Sequence, residues 1–327
     1  MKVLVLGASG YIGSRLCALL DAGGWADVVR ASSRRRDGSG LQVDTRDPVG
    51  MREALRGADA VVNCVAGDAR SIALGAQVLA DAAIAAGCVR IVHLSSMSVY
   101  GAQQGELGED AITDPSLGWY GRAKCDAERQ IHRFADAGAM AVVLRPGCVW
   151  GPGSRLWVER IGEWLQAGRL GDLGASGDGW SNLVHLDDVC RAVIAGLRLP
   201  LASRSVRTFN LAGRDSPRWN DFFVDFGVAI GATPVRRIHK LQLALDARLG
   251  GPPLQLARIG LARAGLPVGG LPTPLTPGLL GLWQRHLRLD CRAAERQLQL
   301  AWTPYAATLD QCAAWYMQAA HSNRCAS

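Results

Sequence analysis

The sequence predicts an α/β fold with a doubly wound parallel sheet and a smaller lobe towards the C-terminus. Three observations support this prediction. Short apolar runs, at residues 2–6, at residues 90–94 and up to Val65, are suited to strands buried on both faces. Segments with helical periodicity, such as residues 68–87, separate these runs. Glycines follow the first run directly, as in a turn that joins a strand to a helix in such a sheet.

Composition narrows the class of protein. The chain has 327 residues, of which 49% are hydrophobic and 20% are charged, and this balance is typical of a folded soluble protein. The net charge is +7, but the arginines are scattered and no zinc-finger or RNA-binding pattern accompanies them. We therefore expect no nucleic-acid partner.

Cysteine and proline positions add three expectations. The nine cysteines form no C-x-x-C pair, which favours reduced thiols and a cytoplasmic location. No group of His, Cys and carboxylate residues has metal-ligand spacing, so we predict no metal. The longest uncharged stretch, residues 264–283, contains four prolines and predicts a loop or lid, with no membrane span.

The first turn has the spacing of a dinucleotide-binding loop. Gly7 permits the tight turn, Gly10 lets the backbone approach a pyrophosphate, and Gly13 lets the following helix pack on the strand. The N–H groups at the start of that helix are suited to bind the anion. This context predicts a Rossmann domain that binds NAD(P). The predicted cofactor contacts in the loop are Gly7, Ser9, Gly10, Tyr11, Ile12 and Gly13.

The end of the next predicted strand indicates which cofactor is bound. An NAD site places a carboxylate there for the ribose 2′-hydroxyl, whereas an NADP site places an arginine for the 2′-phosphate. Here Ser32 and Ser33 precede Arg34, and no carboxylate occurs before Asp37. We therefore predict NADP in preference to NAD, held by Arg34 with help from Ser32 or Ser33. A solvated basic turn is the alternative.

Two later segments complete the predicted cofactor site. Asp44 follows a short predicted strand and is suited to accept a hydrogen bond from the adenine amino group. Val65 and Ala66 end the next strand, and their small side chains leave room for the adenosine ribose and the pyrophosphate. Taken alone, each of these residues is equally consistent with ordinary loop chemistry.

Tyr120 and Lys124 are the main catalytic candidates. They lie four residues apart in a predicted helix, residues 118–134, so their side chains share one face. An ammonium beside a phenol favours the phenolate, and the same lysine is placed to hydrogen-bond the nicotinamide ribose. A buried strand upstream ends at Ser95 and Ser96, where a hydroxyl is suited to hold a substrate carbonyl. A surface Tyr/Lys pair is the alternative.

Six segments spread over most of the chain support a family resemblance. They are GASGYIG at 7–13, SSMSVYG at 95–101, YGRAK at 120–124, LRPGCVWGPG at 144–153, NLVHLDDVCRA at 182–192 and LAWTP at 300–304. Together they resemble the extended short-chain dehydrogenase/reductase family, also called the NAD-dependent epimerase/dehydratase family. The resemblance implies that Ser96 is catalytic, that Tyr120 is the acid/base with Lys124 as its partner, and that Pro146 lies beside the nicotinamide. It also implies a homodimer formed through paired helices.

Departures from the family pattern bear on the substrate. Met97 and Ser98 stand where the family's dehydratases carry Asp-Glu, which disfavours dehydration. Cys148 stands where nucleotide-sugar epimerases usually carry an asparagine that contacts the substrate diphosphate. The segment VRASSRR instead resembles the NADP-using reductase branch of the family.

These observations together predict an NADP-dependent oxidoreductase that moves a hydride between the nicotinamide and a ketone or secondary alcohol. The catalytic residues are predicted to be Ser96, Tyr120 and Lys124. One alternative is an NAD-dependent nucleotide-sugar epimerase, and another is a redox sensor that binds NADP without turnover.

The domain prediction interleaves two parts of the chain. Residues 1–153 and about 180–214 form the predicted Rossmann domain, and residues about 154–179 and 215–327 form the substrate-binding lobe. Four tryptophans in the lobe indicate a small-molecule substrate that is apolar or contains a ring, or else plain core packing. They are Trp157, Trp164, Trp219 and Trp283.

Overall fold

The structure is a computed structural model. It describes residues 1–33, 40–114, 116, 118–263 and 273–325.

The described chain forms strands and helices in alternation over its first half. The strands are β1 (Lys2–Leu6), β2 (Asp27–Ser32), β3 (Leu41–Gln42), β4 (Ala60–Asn63), β5 (Arg90–Leu94), β6 (Gly105–Leu107), β7 (Met140–Pro146), β8 (Cys148–Trp150), β9 (Leu183–His185), β10 (Ser205–Leu211) and β11 (Leu287–Leu289). The helices are α1 (Tyr11–Gly23), α2 (Pro48–Ala54), α3 (Ala69–Ala85), α4 (Gly118–Asp136), α5 (Arg160–Gln166), α6 (Leu186–Arg198), α7 (Trp219–Ala229), α8 (Lys240–Leu245), α9 (Gly251–Arg263), α10 (Pro277–Trp283), α11 (Arg292–Gln297) and α12 (Tyr305–Cys325). Short 3₁₀ turns span Met97–Tyr100 and Gly174–Gly177, and π turns span Arg155–Glu159 and Asp246–Gly250.

The chain divides into two compact units. The first comprises Met1–Val149, Val184–Arg214 and Leu289–Trp302. The second comprises Trp150–Leu183, Asp215–Arg288 and Thr303–Ser327.

One segment departs from the domain prediction, which assigned all of residues 215–327 to the second unit. Leu289–Trp302 belongs instead to the first unit. The physical reason is apolar packing, because Ala294 and Leu298 join the same buried core as Phe209 and Leu211 of β10.

A parallel sheet of seven strands forms the centre of the first unit, in the order β10-β7-β5-β4-β1-β2-β3. Its inner strands are apolar and buried because helices cover both faces. On one face α1 and α6 pack with Leu16 and Val189, and on the other α2, α3 and α4 pack with Met51, Leu79 and Phe134. The predicted doubly wound Rossmann sheet is confirmed. The carboxyl ends of β1, β4, β5 and β7 meet at one edge, where such sheets bind their ligands.

The second unit is built around aromatic side chains. Trp164, Trp219 and Trp283 are fully buried, and the Trp219 ring lies 5.6 Å from that of Phe223. These three tryptophans therefore pack the core of this unit, so they do not by themselves indicate an apolar substrate surface. Only Trp157 of the predicted set is partly exposed.

The proline-interrupted stretch is only partly a loop. Residues 264–272 lie outside the described residues, whereas Pro277–Trp283 forms α10, with a proline at the helix start, where the missing N–H costs nothing. Within the described ranges, no helix combines the length and the apolar character needed to cross a bilayer.

Gly13 allows α1 to lie close to the turn that follows β1. A Cβ at position 13 would lie 2.2 Å from the carbonyl oxygen of Gly7, and because this atom belongs to the backbone, no side-chain rotation relieves the clash. We expect Gly13→Ala to lower the free energy of unfolding by about 1–3 kcal/mol, the usual cost of overpacking, and to abolish binding of the predicted dinucleotide. Urea unfolding and a fluorescence titration with NADPH measure the two effects.

The matched control is Gly281→Ala in α10, where a Cβ would meet nothing within 4 Å. Because alanine favours a helix over glycine by up to ~1 kcal/mol, this variant should be as stable as the parent or slightly more so. Equal behaviour of the two variants would contradict the close approach at Gly13.

Candidate active site

The turn after β1, residues 7–10, forms a main-chain cradle, and only a residue without a side chain fits at position 7. Gly7 has a φ of +77°, and a Cβ there would lie 2.9 Å from the carbonyl oxygen of Cys64. Gly10 is the N-cap residue of α1. The helix has no side-chain cap and no acidic residue in its first turn. The N–H groups of that turn are therefore suited to bind a phosphate. These features fit a dinucleotide.

A cavity of about 530 Å³ opens beside this cradle. Its lining includes most of the cofactor residues predicted from the sequence, namely Gly7, Ser9, Gly10, Tyr11, Ile12, Gly13, Ser32, Asp44, Val65 and Ala66. Lys124 and Pro146 are not part of this lining, and Pro146 is the last residue of β7, at the same sheet edge. Arg34 lies outside the described residues. The structure thus brings the predicted adenosine and pyrophosphate contacts around one cavity.

Several residues of the cavity lining were not predicted. They are Leu6, Ala31, Val43, Thr45, Arg46, Cys64, Asp68 and Ser71. Arg46 follows Asp44 by two residues, so its proximity in sequence was a usable signal. Thr45 and Ser71 carried no such signal, because their place depends on how β3 and α3 meet in space.

Asp44 and Arg46 form a two-bond ion pair in the cavity wall. The guanidinium donates from Nε and Nη2 to the two carboxylate oxygens at 3.0 and 2.8 Å. These bonds lower the pKa of Asp44 to about 2, so the carboxylate stays charged at neutral pH and remains an acceptor. Both side chains are about half exposed, so the pair contributes little to stability.

Behind Val65, the buried residues Asn63 and His93 form a short polar chain. The Asn63 Oδ1 accepts from the N–H of Val65 at 3.1 Å, and its Nδ2 lies 3.1 Å from His93 Nδ1. The amide orientation makes Nδ1 the acceptor, so the neutral imidazole carries its proton on Nε2, which has no partner among the described residues. Burial, reinforced by the charge of Lys124, lowers the pKa of His93 well below its usual range.

The three predicted catalytic residues lie together at the end of β5. Ser96 is the N-cap of the Met97–Tyr100 turn, and its hydroxyl accepts from the N–H of Ser98 at 3.2 Å. Ser96 also lies close enough to Tyr120 of α4 for its side chain to influence the pKa of that phenol. The Lys124 Nζ lies 5.9 Å from the centre of the Tyr120 ring.

Gly121 allows this approach of α4, and sequence reasoning missed it. A Cβ at position 121 would lie 2.7 Å from the carbonyl oxygen of Ser98. The available signal was a glycine inside a strongly periodic helix, where it costs helix stability and so has a packing reason.

Burial dominates the electrostatics of this group. It raises the pKa of Tyr120, and the nearby Ser96 side chain only partly opposes the shift. The expectation that Lys124 brings the tyrosine towards its phenolate is therefore outweighed by desolvation. Burial also lowers the pKa of Lys124 to about 8, and the neighbouring Cys64 and the Glu128 carboxylate only partly oppose this shift. Its ammonium donates to the carbonyl oxygen of Leu94 at 2.7 Å.

A buried polar network lies beneath the catalytic residues. Arg145 of β7 donates through Nε and Nη2 to the two oxygens of Glu128 in α4, at 3.0 and 2.7 Å. Ser95 donates to the same carboxylate. Arg145 Nη1 also donates to the Tyr100 hydroxyl at 3.0 Å, and that hydroxyl donates to Asn210 Oδ1 at 2.6 Å. Every polar group of this chain of contacts has a partner, as a buried network requires.

Comparison with known proteins identifies the class. Residues 3–212 match the model of the NAD dependent epimerase/dehydratase family, and the chain belongs to that family. The protein is therefore an enzyme with a nicotinamide dinucleotide cofactor and an NAD(P)-dependent oxidoreductase chemistry.

Two curated relatives are reductases. The 2-alkyl-3-oxoalkanoate reductase of Stenotrophomonas maltophilia is 31% identical over 219 residues, which are 60% of this chain and 64% of the length of that protein. The 3-diazoavenalumate denitrifying reductase of a Streptomyces species is 30% identical over 277 residues, which are 77% of this chain and 88% of that protein.

A solved structure shows the same fold. MoeE5 in complex with UDP-glucose and NAD superposes with a TM-score of 0.72 over 98% of this chain and 100% of that chain, at 23% identity. At this identity the likeness concerns the fold alone.

The buried imidazole predicts an acid limit to stability. In the unfolded chain His93 takes up a proton near pH 6.5, whereas the folded protein holds it neutral to lower pH. The unfolded state then binds more protons, so the free energy of unfolding contributed by His93 is complete above about pH 6.5 and falls as the pH drops below it. Urea unfolding at a series of pH values should show this slope, and His93→Gln should flatten it.

The control is His132→Gln, at an exposed histidine of α4. This variant should keep the slope of the parent. A His93→Gln protein that retains the full acid slope would contradict the assignment, whatever its stability at neutral pH.

Proposed function

We propose that the protein is an NADP-dependent carbonyl reductase that works through Ser96, Tyr120 and Lys124. The observation that carries the proposal is the meeting of these side chains at the end of β5, with the Ser96 side chain acting on the Tyr120 phenol and the Lys124 ammonium 5.9 Å from the tyrosine ring. A hydroxyl pair of this kind is suited to bind and protonate a carbonyl oxygen.

The protonation states favour the reductive direction. When bound, the nicotinamide supplies the hydride that the carbonyl carbon receives. Ser96 holds the carbonyl oxygen, and Tyr120 donates its proton to that oxygen as the alcohol forms. Because burial raises the pKa of Tyr120, the phenol stays protonated near neutral pH and is ready to act as the acid. Oxidation needs the phenolate, which burial disfavours.

Lys124 supports this step while it is charged. Its pKa of about 8 leaves the ammonium largely protonated at neutral pH and neutral in more alkaline solution. The charged form is suited to stabilise the phenolate left after proton transfer and to hydrogen-bond the nicotinamide ribose. Reductase activity should therefore decline above about pH 8.

The preference for NADP rests on the end of β2. Ser32 and Ser33 line the cofactor cavity there, and the strand's last residues carry no carboxylate for a ribose 2′-hydroxyl. Arg34 follows directly in the sequence and remains the proposed partner of the 2′-phosphate. Arg46 lines the same cavity but is already bonded to Asp44.

The proposed substrate is a ketone with apolar substituents. The Stenotrophomonas relative is a 2-alkyl-3-oxoalkanoate reductase, and a 2-alkyl-3-oxoalkanoate is such a ketone. The alternative substrate is a nucleotide sugar, such as the UDP-glucose bound by MoeE5, which shares the fold. In this chain, however, Cys148 takes the place of the asparagine that contacts the substrate diphosphate in those epimerases, and it is buried.

Removal of the phenolic hydroxyl tests the reaction. Tyr120→Phe should lower kcat for NADPH oxidation with a 2-alkyl-3-oxoalkanoate by about a hundredfold or more, because general acid catalysis is lost. Its Kd for NADPH should stay unchanged. The same substitution at Tyr316, in the second unit, should leave kcat unaltered. Unchanged turnover in Tyr120→Phe would refute the role of this tyrosine.

Two arginine variants test the cofactor preference. Arg34→Ala should raise the Kd for NADPH about tenfold or more and leave the Kd for NADH alone, since only NADPH carries the 2′-phosphate. Arg46→Ala is the matched control and should affect both cofactors alike. An NADPH-selective loss in Arg46→Ala would transfer the phosphate contact to that residue.

Release of the bound dinucleotide distinguishes the reductase from the epimerase alternative. Protein purified without added cofactor and then denatured should release no stoichiometric dinucleotide if it is a reductase that exchanges NADP. Release of one NAD per chain, with no preference for NADPH in the refolded apoprotein, would favour an epimerase instead.

A further inference from the structure

Glu128 acts on the catalytic group without being placed to touch a substrate. It lies one helical turn after Lys124 on α4, so both side chains share the face that meets β5. Its carboxylate accepts from Ser95, which directly precedes Ser96. Lys124 donates to the carbonyl oxygen of Leu94, the residue before Ser95. Leu94 and Ser95, at the end of β5, are thus both bonded to one face of α4, and Ser96 follows them directly.

The other side of the carboxylate is held by β7. Arg145 donates to both oxygens of Glu128, and both side chains are about 6% exposed. Arg145 also bonds the Tyr100 hydroxyl and the carbonyl oxygen of Glu109. The carboxylate therefore cannot rotate away without leaving these donors unpaired.

Glu128 supplies the negative charge that acts on the Lys124 ammonium. Among the other groups that face Lys124, Cys64 at the end of β4 is a neutral thiol, since burial raises its pKa far above the neutral range. His93 of β5 is a neutral imidazole, and Tyr120 is a neutral phenol.

The remaining elements packed on α4 place no unpaired charge beside Lys124. Helix α3 presents Ile72 and Ala76 there, and its Asp81 pairs with Arg133, nine residues beyond Lys124, while β10 presents Asn210. The Met97–Tyr100 turn adds Tyr100, whose pKa burial raises, and β7 adds Arg145, which is paired with Glu128 itself.

We propose that Glu128 is the positioning residue of the active site: held by Arg145, it keeps Lys124 charged and fixes the end of β5 that carries Ser96. The proposal rests on the proposed function for its catalytic meaning. Its electrostatic content is independent of turnover.

The chain allows a direct measurement, because Lys124 is one of only three lysines, with Lys2 and Lys240. Selective ¹⁵N labelling of lysine gives a side-chain NMR signal for each, and Lys124→Arg assigns the signal of position 124. In the parent, Lys124 should titrate near pH 8. In Glu128→Gln, which keeps an acceptor for Ser95, its acid dissociation constant should rise about tenfold or more.

Two further variants separate charge from folding. Asp126→Asn removes a carboxylate that pairs with Arg129 on the solvent side of the same helix, and it should leave the Lys124 titration unchanged. The double variant Glu128→Gln with Arg145→Met removes both buried charges, so no guanidinium is left unpaired. It should shift the Lys124 titration in the same direction as Glu128→Gln but by less, because the Arg145 cation is removed as well.

The alkaline limb of kcat for reduction should move to lower pH in step with the NMR titration. A Lys124 titration that is unchanged in the double variant, or shifted equally in Asp126→Asn, would overturn the proposal. If the parent protein has no reductase activity but Glu128→Gln still shifts the Lys124 titration, the role of Glu128 towards Lys124 stands and the carbonyl reductase assignment is refuted.

Discussion

The buried ion pair between Glu128 and Arg145 joins β7 to α4, which carries Tyr120 and Lys124, and through Ser95 to the end of β5, which is followed by Ser96. Removing two charges from water is costly, and the cost is offset only when the geometry is good and the remaining polar atoms are bonded. Here the guanidinium and the carboxylate share two hydrogen bonds, and Ser95 and Tyr100 complete the set. Loss of one partner would leave a buried unpaired charge and lower the free energy of unfolding by about 3–5 kcal/mol.

The two halves of the site use different physical means. The cofactor half is mainly backbone, since the glycines at 7, 10 and 13 allow main-chain atoms to approach each other and a phosphate. The catalytic half is built from buried side chains whose protonation depends on desolvation. Low exposure raises the pKa of Tyr120 and lowers that of Lys124, so the same burial prepares an acid and limits the charge of its partner. Because the two halves are built separately, one main-chain cradle is compatible with different side chains in the other half and so with different reactions.

Burial of Tyr120 also bears on the proposed reductive direction of the reaction. Its ring packs on the apolar cluster of Ile72, Ala76, Ala123 and Ala127 between α3 and α4. An apolar wall of this kind destabilises the phenolate, which the oxidative direction requires, and spares the phenol, which the reductive direction requires.

Much of the fold and part of the site were readable from the sequence because they depend on local patterns. The strands at residues 2–6 and 90–94, the helix that carries Tyr120 and Lys124, and the family membership follow from periodicity and from short motifs. A two-residue strand period, a helical turn and a glycine triplet are properties of neighbouring residues, so no tertiary contact is needed to recognise them.

The tertiary structure decided what depends on contacts between distant segments. The need for Gly121 arises from the carbonyl of Ser98, and the place of Ser71 in the cavity arises from the approach of α3. The tryptophans of the second unit became core residues because their partners come from several helices. Burial also reversed the expected shift in the pKa of Tyr120. Residue types and spacings determined which groups the site contains, whereas desolvation, a property of the packed chain, decided their charge.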